Sequence, residues 1–374
     1  MADLYVMTEN GLQKSNDTFV RFNPVSLVQE KEELKTNMFH REIAGFDQYV
    51  NLAHNIKENS EDLEVLGMDL KPFVDENGIQ LKVGDKPYKL TEWSLGQLSQ
   101  KIGVPAGYAV AMAEARKYDL FVDNFQSWID SHVAGKKFLV RSYGEYVRGV
   151  LSDSYNPTDT EFVLPLFKQG LQTTNMNFKL DKAIMNPEYT NMRIVSDRQI
   201  DIGGDPHFVG FSFITSDVGK AAMKVEFFIY RWKCSNGMMF GKHGGTLFKA
   251  KHTNKGFHDP NVFQEKVVAA LSDVPILIDQ TQQALLHANS KEIRDEDFAR
   301  IIDQYKAYTG AGKKDTEFVQ ELLKDKMNIY NNVKPTLWAV TNAFTEIAQE
   351  FQVDKAEKME DFAGHLLLSK YFAA

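Results

Sequence analysis

Residues 138–152 read FLVRSYGEYVRGVLS, and this stretch decides the fold. Apolar and polar residues alternate on both sides of a Gly-Glu pair, which is the pattern of two antiparallel strands joined by a tight turn. In the simplest register Tyr143 lies opposite Tyr146, and Arg141 lies opposite Arg148. One face of this hairpin would then carry two tyrosines and two arginines, while the other would be an ordinary apolar core face.

The segments that follow the hairpin continue the strand pattern and then change to a helical one. Further strands are predicted at 192–202, 208–215 and 223–234, and an Asp-Pro pair at 259–260 is typical of a helix start. Strands followed by helices indicate an α+β protein with a central antiparallel β-sheet, a prominent hairpin, and helical segments at both ends. We expect three regions: a mixed, mostly helical region over 1–130, an antiparallel β core with a basic loop over 131–258, and a helical region over 259–374.

The composition narrows the class of protein. A chain of 374 residues with 43% hydrophobic and 25% charged residues is typical of a globular protein with two or three packed units. A single cysteine allows no internal disulfide. The first residues have neither the basic start nor the apolar core of a signal peptide, and no apolar run approaches the roughly 18 residues of a membrane span. We therefore expect a cytoplasmic protein without a membrane segment.

The charge is unevenly distributed along the chain. The net charge is −8 overall, with −8 in residues 1–130, +5 in residues 131–260 and −5 in residues 261–374. An acidic protein with a basic middle third would bind a polyanion through that third.

The most basic segment spans residues 231–259, where six Lys or Arg residues accompany a single acidic residue. Its glycines allow the backbone to approach a phosphate closely, so we interpret the segment as an anion-binding loop. A solvated lysine-rich loop is the alternative interpretation. The candidate phosphate contacts in this segment are Arg231, Lys233, Lys242, Lys249 and Lys251.

The cysteine and histidines of the same segment do not predict a metal site or a nucleophile. Cys234, His243, His252 and His258 have a spacing that matches no common zinc motif. Cys234 follows a predicted strand, whereas reactive cysteines favour helix N-termini or a neighbouring histidine, so it is interpreted as structural. No dinucleotide, metalloprotease or hydrolase motif occurs either, and no cofactor is predicted.

The hairpin face offers a second place for an anion. Two opposed arginines repel each other unless an anion or a carboxylate lies between them. Together, Arg141, Tyr143, Tyr146 and Arg148 resemble a platform that stacks bases and holds phosphates of single-stranded nucleic acid. In the alternative, the face packs under helices and each arginine pairs with an acid such as Asp153, Asp159 or Glu161.

Several motifs of the chain resemble the phage/plasmid-like family called domain of unknown function 932. One is the S-x-x-Y-x-P segment at Ser152, Tyr155 and Pro157, which follows a strand. Another is an aromatic-rich strand that ends in Arg-x-x-Cys-x-Asn. The three fixed residues of this motif are Arg231, Cys234 and Asn236 in this chain.

The C-terminal PTLWAVTNAFTEIAQ is also similar to the family's last helical segment, so the resemblance covers roughly residues 90–350. Gly237 departs from it, since threonine is expected there. The resemblance implies a phage or plasmid setting and favours a nucleic-acid role. A relation to phage single-strand annealing proteins is an analogy at the level of fold.

The sequence therefore predicts a non-enzymatic single-stranded DNA-binding protein, with recombination or strand annealing as its setting. The first alternative is a protein-interaction module, such as an inhibitor or adaptor of a host system, which would use the acidic ends. The second alternative is a metal-dependent nuclease that uses Asp197 and Asp201. Self-association and a host protein partner stay open at this point.

Overall fold

The computed structural model describes most of the chain. The described residues are 4–8, 11–15, 40, 42–75, 78–202, 205–231, 236–239, 246–250, 259–272, 274–329, 335–348, 350–351 and 353–368.

The N-terminal part begins with a small hairpin and a helix and then enters the first sheet. The hairpin consists of β1 (Leu4–Thr8) and β2 (Gly11–Ser15), and the helix is α1 (Phe46–Glu58). Six strands form the first sheet: β3 (Asp62–Leu66), β4 (Leu70–Asp75), β5 (Gly78–Val83), β6 (Lys86–Leu90), β7 (Lys137–Tyr143) and β8 (Tyr146–Ser152). Their order across the sheet is β3-β7-β8-β6-β5-β4, and only the β6–β8 pair is parallel.

Three helices between β6 and β7 cover one face of this sheet: α2 (Glu92–Ile102), α3 (Ala106–Glu114) and α4 (Tyr118–His132). The Thr91 hydroxyl caps α2 by accepting a hydrogen bond from the Ser94 N–H at 3.1 Å. Gly103 ends the helix at φ 85°, a left-handed conformation that glycine adopts without steric cost. Apolar side chains of the sheet and of α2 and α4 form one continuous core between these layers.

The second sheet lies after helix α5 (Thr160–Gln172). Its strands are β9 (Phe178–Asn186), β10 (Tyr189–Ile202), β11 (Asp205–Thr215), β12 (Met223–Arg231), β13 (Asn236–Met239) and β14 (Thr246–Ala250). The order is β13-β12-β11-β10-β9, all antiparallel, and β14 also pairs with β12.

The C-terminal part is helical. Its helices are α6 (Pro260–Ser272), α7 (Val274–Ser290), α8 (Asp295–Thr309), α9 (Lys313–Ile329), α10 (Leu337–Ala348) and α11 (Val353–Leu368). Together with α1, α5 and one face of the second sheet, these helices enclose the larger of the two main apolar cores. Among the described helices, none is both long enough and apolar enough to cross a membrane.

The α+β class is confirmed, with helical segments before and after the strands. The strands are divided between two sheets, and the first sheet takes strands from both sides of residue 130. The three-region division therefore stays a prediction. The hairpin of β7 and β8 belongs to the same sheet as β3–β6.

The predicted hairpin register is right at the turn and wrong beyond it. Tyr143 lies opposite Tyr146 as expected, but Arg141 lies opposite Gly149. The pairing shifts between Arg141 and Ser142, so that Arg148 is an extra residue on β8. This β-bulge re-aims the Arg148 side chain, which the simple alternation of a regular hairpin could not anticipate.

Candidate functional site

Arg141 is fully buried and forms five hydrogen bonds. Its guanidinium makes two with the Asp62 carboxylate, at 2.7 and 3.1 Å, and two with the Asp159 carboxylate at the same distances. The fifth is donated to the main-chain oxygen of Asp217 at 2.6 Å. Because a guanidinium has five N–H donors, every donor of Arg141 is used. Burial lowers the pKa of Arg141, but the neighbouring carboxylates of Asp159, Asp217 and Asp62 together outweigh burial and raise the pKa above its ordinary value.

Arg148 is equally buried, and it also contacts Asp217. Its Nη1 donates to the main-chain oxygen of Pro187 at 2.6 Å and to the Asp217 carboxylate at 3.2 Å. The other carboxylate oxygen of Asp217 accepts from the N–H and hydroxyl of Thr160, at 2.8 and 2.7 Å. Asp217 therefore lies between the two arginines, which it joins through its backbone and its side chain.

Lys57 completes this arrangement, because its ammonium lies 2.6 Å from Asp159. We call the six residues the buried charge network, after the two buried arginines at its centre; they are Lys57, Asp62, Arg141, Arg148, Asp159 and Asp217. The side chains of Lys57 and Asp62 reach the surface, at 40% and 34% exposure. Three positive and three negative groups balance in formal charge, although Nε and Nη2 of the buried Arg148 have no hydrogen-bond partner among the described residues.

The network removes the predicted platform from the surface. Arg141 and Arg148 have no exposed side-chain area, Tyr146 is 1% exposed, and Tyr143 is half-buried against the larger core. In this structure a nucleic acid has no access to the two guanidinium groups. The alternative interpretation of the hairpin, in which an arginine pairs with Asp159, describes the observed contacts of Arg141.

Asp159 makes the network sensitive to acid. Burial raises the pKa of this carboxyl, but Arg141 and Lys57 outweigh burial, and the net effect holds the pKa well below its ordinary value near 3.8. The folded state then binds fewer protons than the unfolded state. The stabilisation is fully present above the ordinary pKa, and it is lost as pH falls toward the folded-state pKa.

An Asp159→Asn variant is therefore expected to have a shallower pH dependence of its unfolding free energy below about pH 4 than the wild type. Urea unfolding at a series of pH values from neutral to acid measures this. Asp153→Asn, which changes an exposed carboxylate on the same connection, is the matched control. Equal slopes for Asp159→Asn and the wild type would contradict the assignment.

The predicted basic loop is described only in part. Lys249 is exposed on β14, where it lies opposite Lys224 of β12. The backbone of Arg231 ends β12, and its side chain lies outside the described residues. Lys233, Lys242 and Lys251 also lie outside them, as does Cys234.

A different exposed surface lies on the first sheet. It is on the same face as the hairpin arginines but nearer the edge of the sheet that β4 forms. On β4 and β5, Lys71 and Lys82 are exposed and directly opposite each other. In the next row, half-buried Phe73 and Lys89 flank Gln80. We call this surface the lysine face, defined by Lys71, Phe73, Gln80, Lys82 and Lys89.

The charges of the lysine face are only partly neutralised. Lys89 lies 3.1 Å from Glu145 of the hairpin turn, and Gln80 donates to Asp75 at 2.6 Å. The ammonium of Lys82 lies over the Phe73 ring, 5.3 Å from its centre. Neither Lys71 nor Lys82 forms an ion pair with a carboxylate in the described part of the chain. Two like charges thus face each other across neighbouring strands.

The carboxylates proposed for a nuclease have other surroundings. Asp197 is exposed and accepts hydrogen bonds from the N–H and the side-chain amide of Asn177, at 3.0 and 2.7 Å. The side chain of Asp201 lies outside the described residues. Within the part of the chain that is described, no three His, Cys, Asp or Glu side chains are grouped as metal ligands.

Comparison with known families matches residues 147–365 to the domain of unknown function DUF932. The match covers more than half of the 374 residues. The chain belongs to this family. It has no match among curated proteins or among solved structures. The DUF932 region begins within β8 and includes Arg148, Asp159 and Asp217, whereas Asp62, Arg141 and the lysine face precede it.

Tyr155, which lies in the region matched to DUF932, contacts the same network. The Tyr155 hydroxyl donates to the main-chain oxygen of Asp217 at 3.0 Å, beside the Arg141 bond to that oxygen. The Ser-x-x-Tyr-x-Pro segment therefore fastens the β11–β12 loop. Sequence reasoning missed Asp217, which is 62 positions from Tyr155, and it missed the lysine face. The sequence signal for the lysine face is the alternation of apolar and polar residues over 78–90, extended back to Lys71.

Proposed function

We propose that this DUF932 protein binds single-stranded nucleic acid, with DNA as the favoured ligand, through the lysine face. The observation that carries the proposal is the opposed pair Lys71 and Lys82, exposed and without a described carboxylate partner. Like charges opposite each other on neighbouring strands destabilise a sheet. An anion bound between them would remove that repulsion and gain two ion pairs.

The surroundings of this pair favour an extended polyanion over a single small ion. Lys89 lies in the next row of the same face and supplies a third positive charge, which now faces Glu145. An aromatic ring, Phe73, lies in that row as well. A sheet surface that combines lysines with an aromatic ring is typical of proteins that bind single strands. Lys249, exposed on the second sheet, is a candidate for an additional phosphate contact.

Strand annealing or recombination in a phage or plasmid is the narrower form of this proposal, and it rests on the sequence resemblance. The same binding experiments address the alternatives. Metal-dependent cleavage of the oligonucleotide would favour a nuclease, whereas absence of binding at low salt would favour a protein-interaction module.

A Lys71→Ala/Lys82→Ala variant is expected to bind a fluorescent single-stranded oligonucleotide about 2- to 30-fold more weakly than the wild type, since each surface ion pair contributes about 0.2–1 kcal/mol. Loss of two phosphate contacts should also reduce the slope of log K against log salt by about 1.4. Fluorescence anisotropy over a salt series measures both quantities.

The matched control is Lys313→Ala/Lys314→Ala, which removes two exposed lysines from α9 and changes the net charge equally. If both double variants weaken binding to the same extent, the overall charge accounts for the effect, and the lysine face has no special role. A wild type that fails to bind at low salt, or whose binding is insensitive to salt, would overturn the proposal.

A further inference from the structure

Phe73 has a position on the lysine face that differs from an ordinary surface aromatic. It is half-buried in the middle of β4, between Lys71 in the preceding row and Asp75 in the following one. Gln80, its cross-strand neighbour on the same face, is 5% exposed, so a packed side chain flanks the ring on one side. A held ring of this kind loses little conformational freedom when a flat ligand packs on it.

The ring is paired with a cation. The ammonium of Lys82 lies 5.3 Å from the centre of the Phe73 ring, in the range of a cation–π contact. At an exposed site such a contact is weak, and a nucleobase stacked on an aromatic ring contributes more. Lys82 is a flexible side chain with no described carboxylate partner, so it can leave the ring for a phosphate.

We infer that Phe73 is the residue that selects single strands, by stacking one nucleobase while Lys82 moves from the ring to the adjacent phosphate. This inference rests on the proposed function, and it adds a base contact to a phosphate contact. A base within a duplex has both faces covered by its neighbours, so only an unpaired strand offers a base to the ring. Stacking tolerates any base, so little sequence preference is expected.

The test compares Phe73→Leu with the wild type on two probes, oligo(dT) and inorganic polyphosphate, over a salt series. Leucine keeps most of the apolar volume but removes the aromatic face. Affinity for oligo(dT) is expected to fall about fivefold to tenfold, with an unchanged salt slope, because no charge is lost. Affinity for polyphosphate, which has no bases, is expected to stay the same.

The matched control is Phe318→Leu, the same change at a 50% exposed ring on α9, which is expected to leave both affinities unchanged. A thermal melt of each variant shows whether the fold is intact.

The possible failures are distinguishable. If Phe73→Leu binds oligo(dT) as tightly as the wild type while Lys71→Ala/Lys82→Ala binds it more weakly, the stacking role is overturned and the lysine face stands. If Phe73→Leu weakens both probes equally, Phe73 only positions the lysines, and the stacking role is again overturned. If the wild type binds polyphosphate but not oligo(dT), both the inference and the nucleic-acid function fall.

Discussion

An Arg141→Ala variant is expected to lose about 3–5 kcal/mol of unfolding free energy, because it removes the buried partner of two carboxylates and leaves the largely buried Asp159 with only part of its compensation. Asp159 keeps Lys57 as a partner, but Asp62 and the main-chain oxygen of Asp217 lose the bonds that Arg141 gave them. A typical domain has only about 5–15 kcal/mol of net stability, so this is a large fraction. Urea denaturation at neutral pH measures the loss.

Two further substitutions make the Arg141 result specific. Arg141→Lys keeps the charge but supplies three donors in place of five, so an intermediate loss is expected. Arg294→Ala removes an arginine that is 86% exposed on the surface, and it should change stability by less than about 0.5 kcal/mol. An Arg141→Ala loss no larger than that of Arg294→Ala would show that the buried charge network does not form as described.

The Arg141 effect also changes how a binding experiment must be interpreted. A nucleic-acid affinity lost in Arg141→Ala would follow from a damaged fold, because the side chain has no exposed area. Substitutions at Lys71, Lys82 and Phe73 lie on accessible or half-buried positions and test the contact itself.

The local features of the hairpin could be predicted from sequence, and so could one of its partners, Asp159, whereas Asp62 and Asp217 could not. Period-two alternation and the Gly-Glu turn locate both strands and pair Tyr143 with Tyr146. The position of Arg148 depends on a bulge, and a bulge adds one residue without changing the composition of the strands. Asp217 is 69 positions from Arg148, in a loop whose approach depends on the packing of two sheets. Such non-local pairings leave no periodic signal in either segment.

The lysine face shows that the net charge of a long segment does not locate a charged surface. The first 130 residues have a net charge of −8, which directs attention to the basic middle third. Within β4 and β5, however, alternation places Lys71 and Lys82 on one face and the buried core residues Leu70, Leu81 and Val83 on the other. An average over a hundred residues cannot show which face a charge occupies, whereas a strand register does.

The start of the DUF932 match falls between residues that bond to each other in this chain. Asp159 and Asp217 lie within residues 147–365, and each bonds to Arg141, which precedes that range. The matched region is therefore tied to the N-terminal sheet by charges that both parts supply. We expect the lysine face and the DUF932 region to keep a fixed relation, because separating them would expose or unpair those charges.

Asp217→Ala is expected to lose about 3–5 kcal/mol of unfolding free energy, because it leaves Arg148 buried without its carboxylate. The same change removes the acceptor for the N–H and hydroxyl of Thr160. Residue 217 keeps its main-chain oxygen in this variant, so the hydrogen bonds from Arg141 and Tyr155 to that oxygen are retained. Urea denaturation compared with the wild type measures the loss.

A double-mutant cycle separates the ion pair from the rest of the loop. Arg148→Met removes the buried charge that Asp217→Ala leaves unpaired, so the double variant should lose less stability than the sum of the single losses, by about 1–3 kcal/mol. Strictly additive losses would contradict a direct interaction between the two side chains. The folded double variant should also keep the oligonucleotide affinity of the wild type, because Arg148 has no exposed area. Lost affinity in that folded variant would return the hairpin arginines to the binding surface and overturn their assignment to the interior.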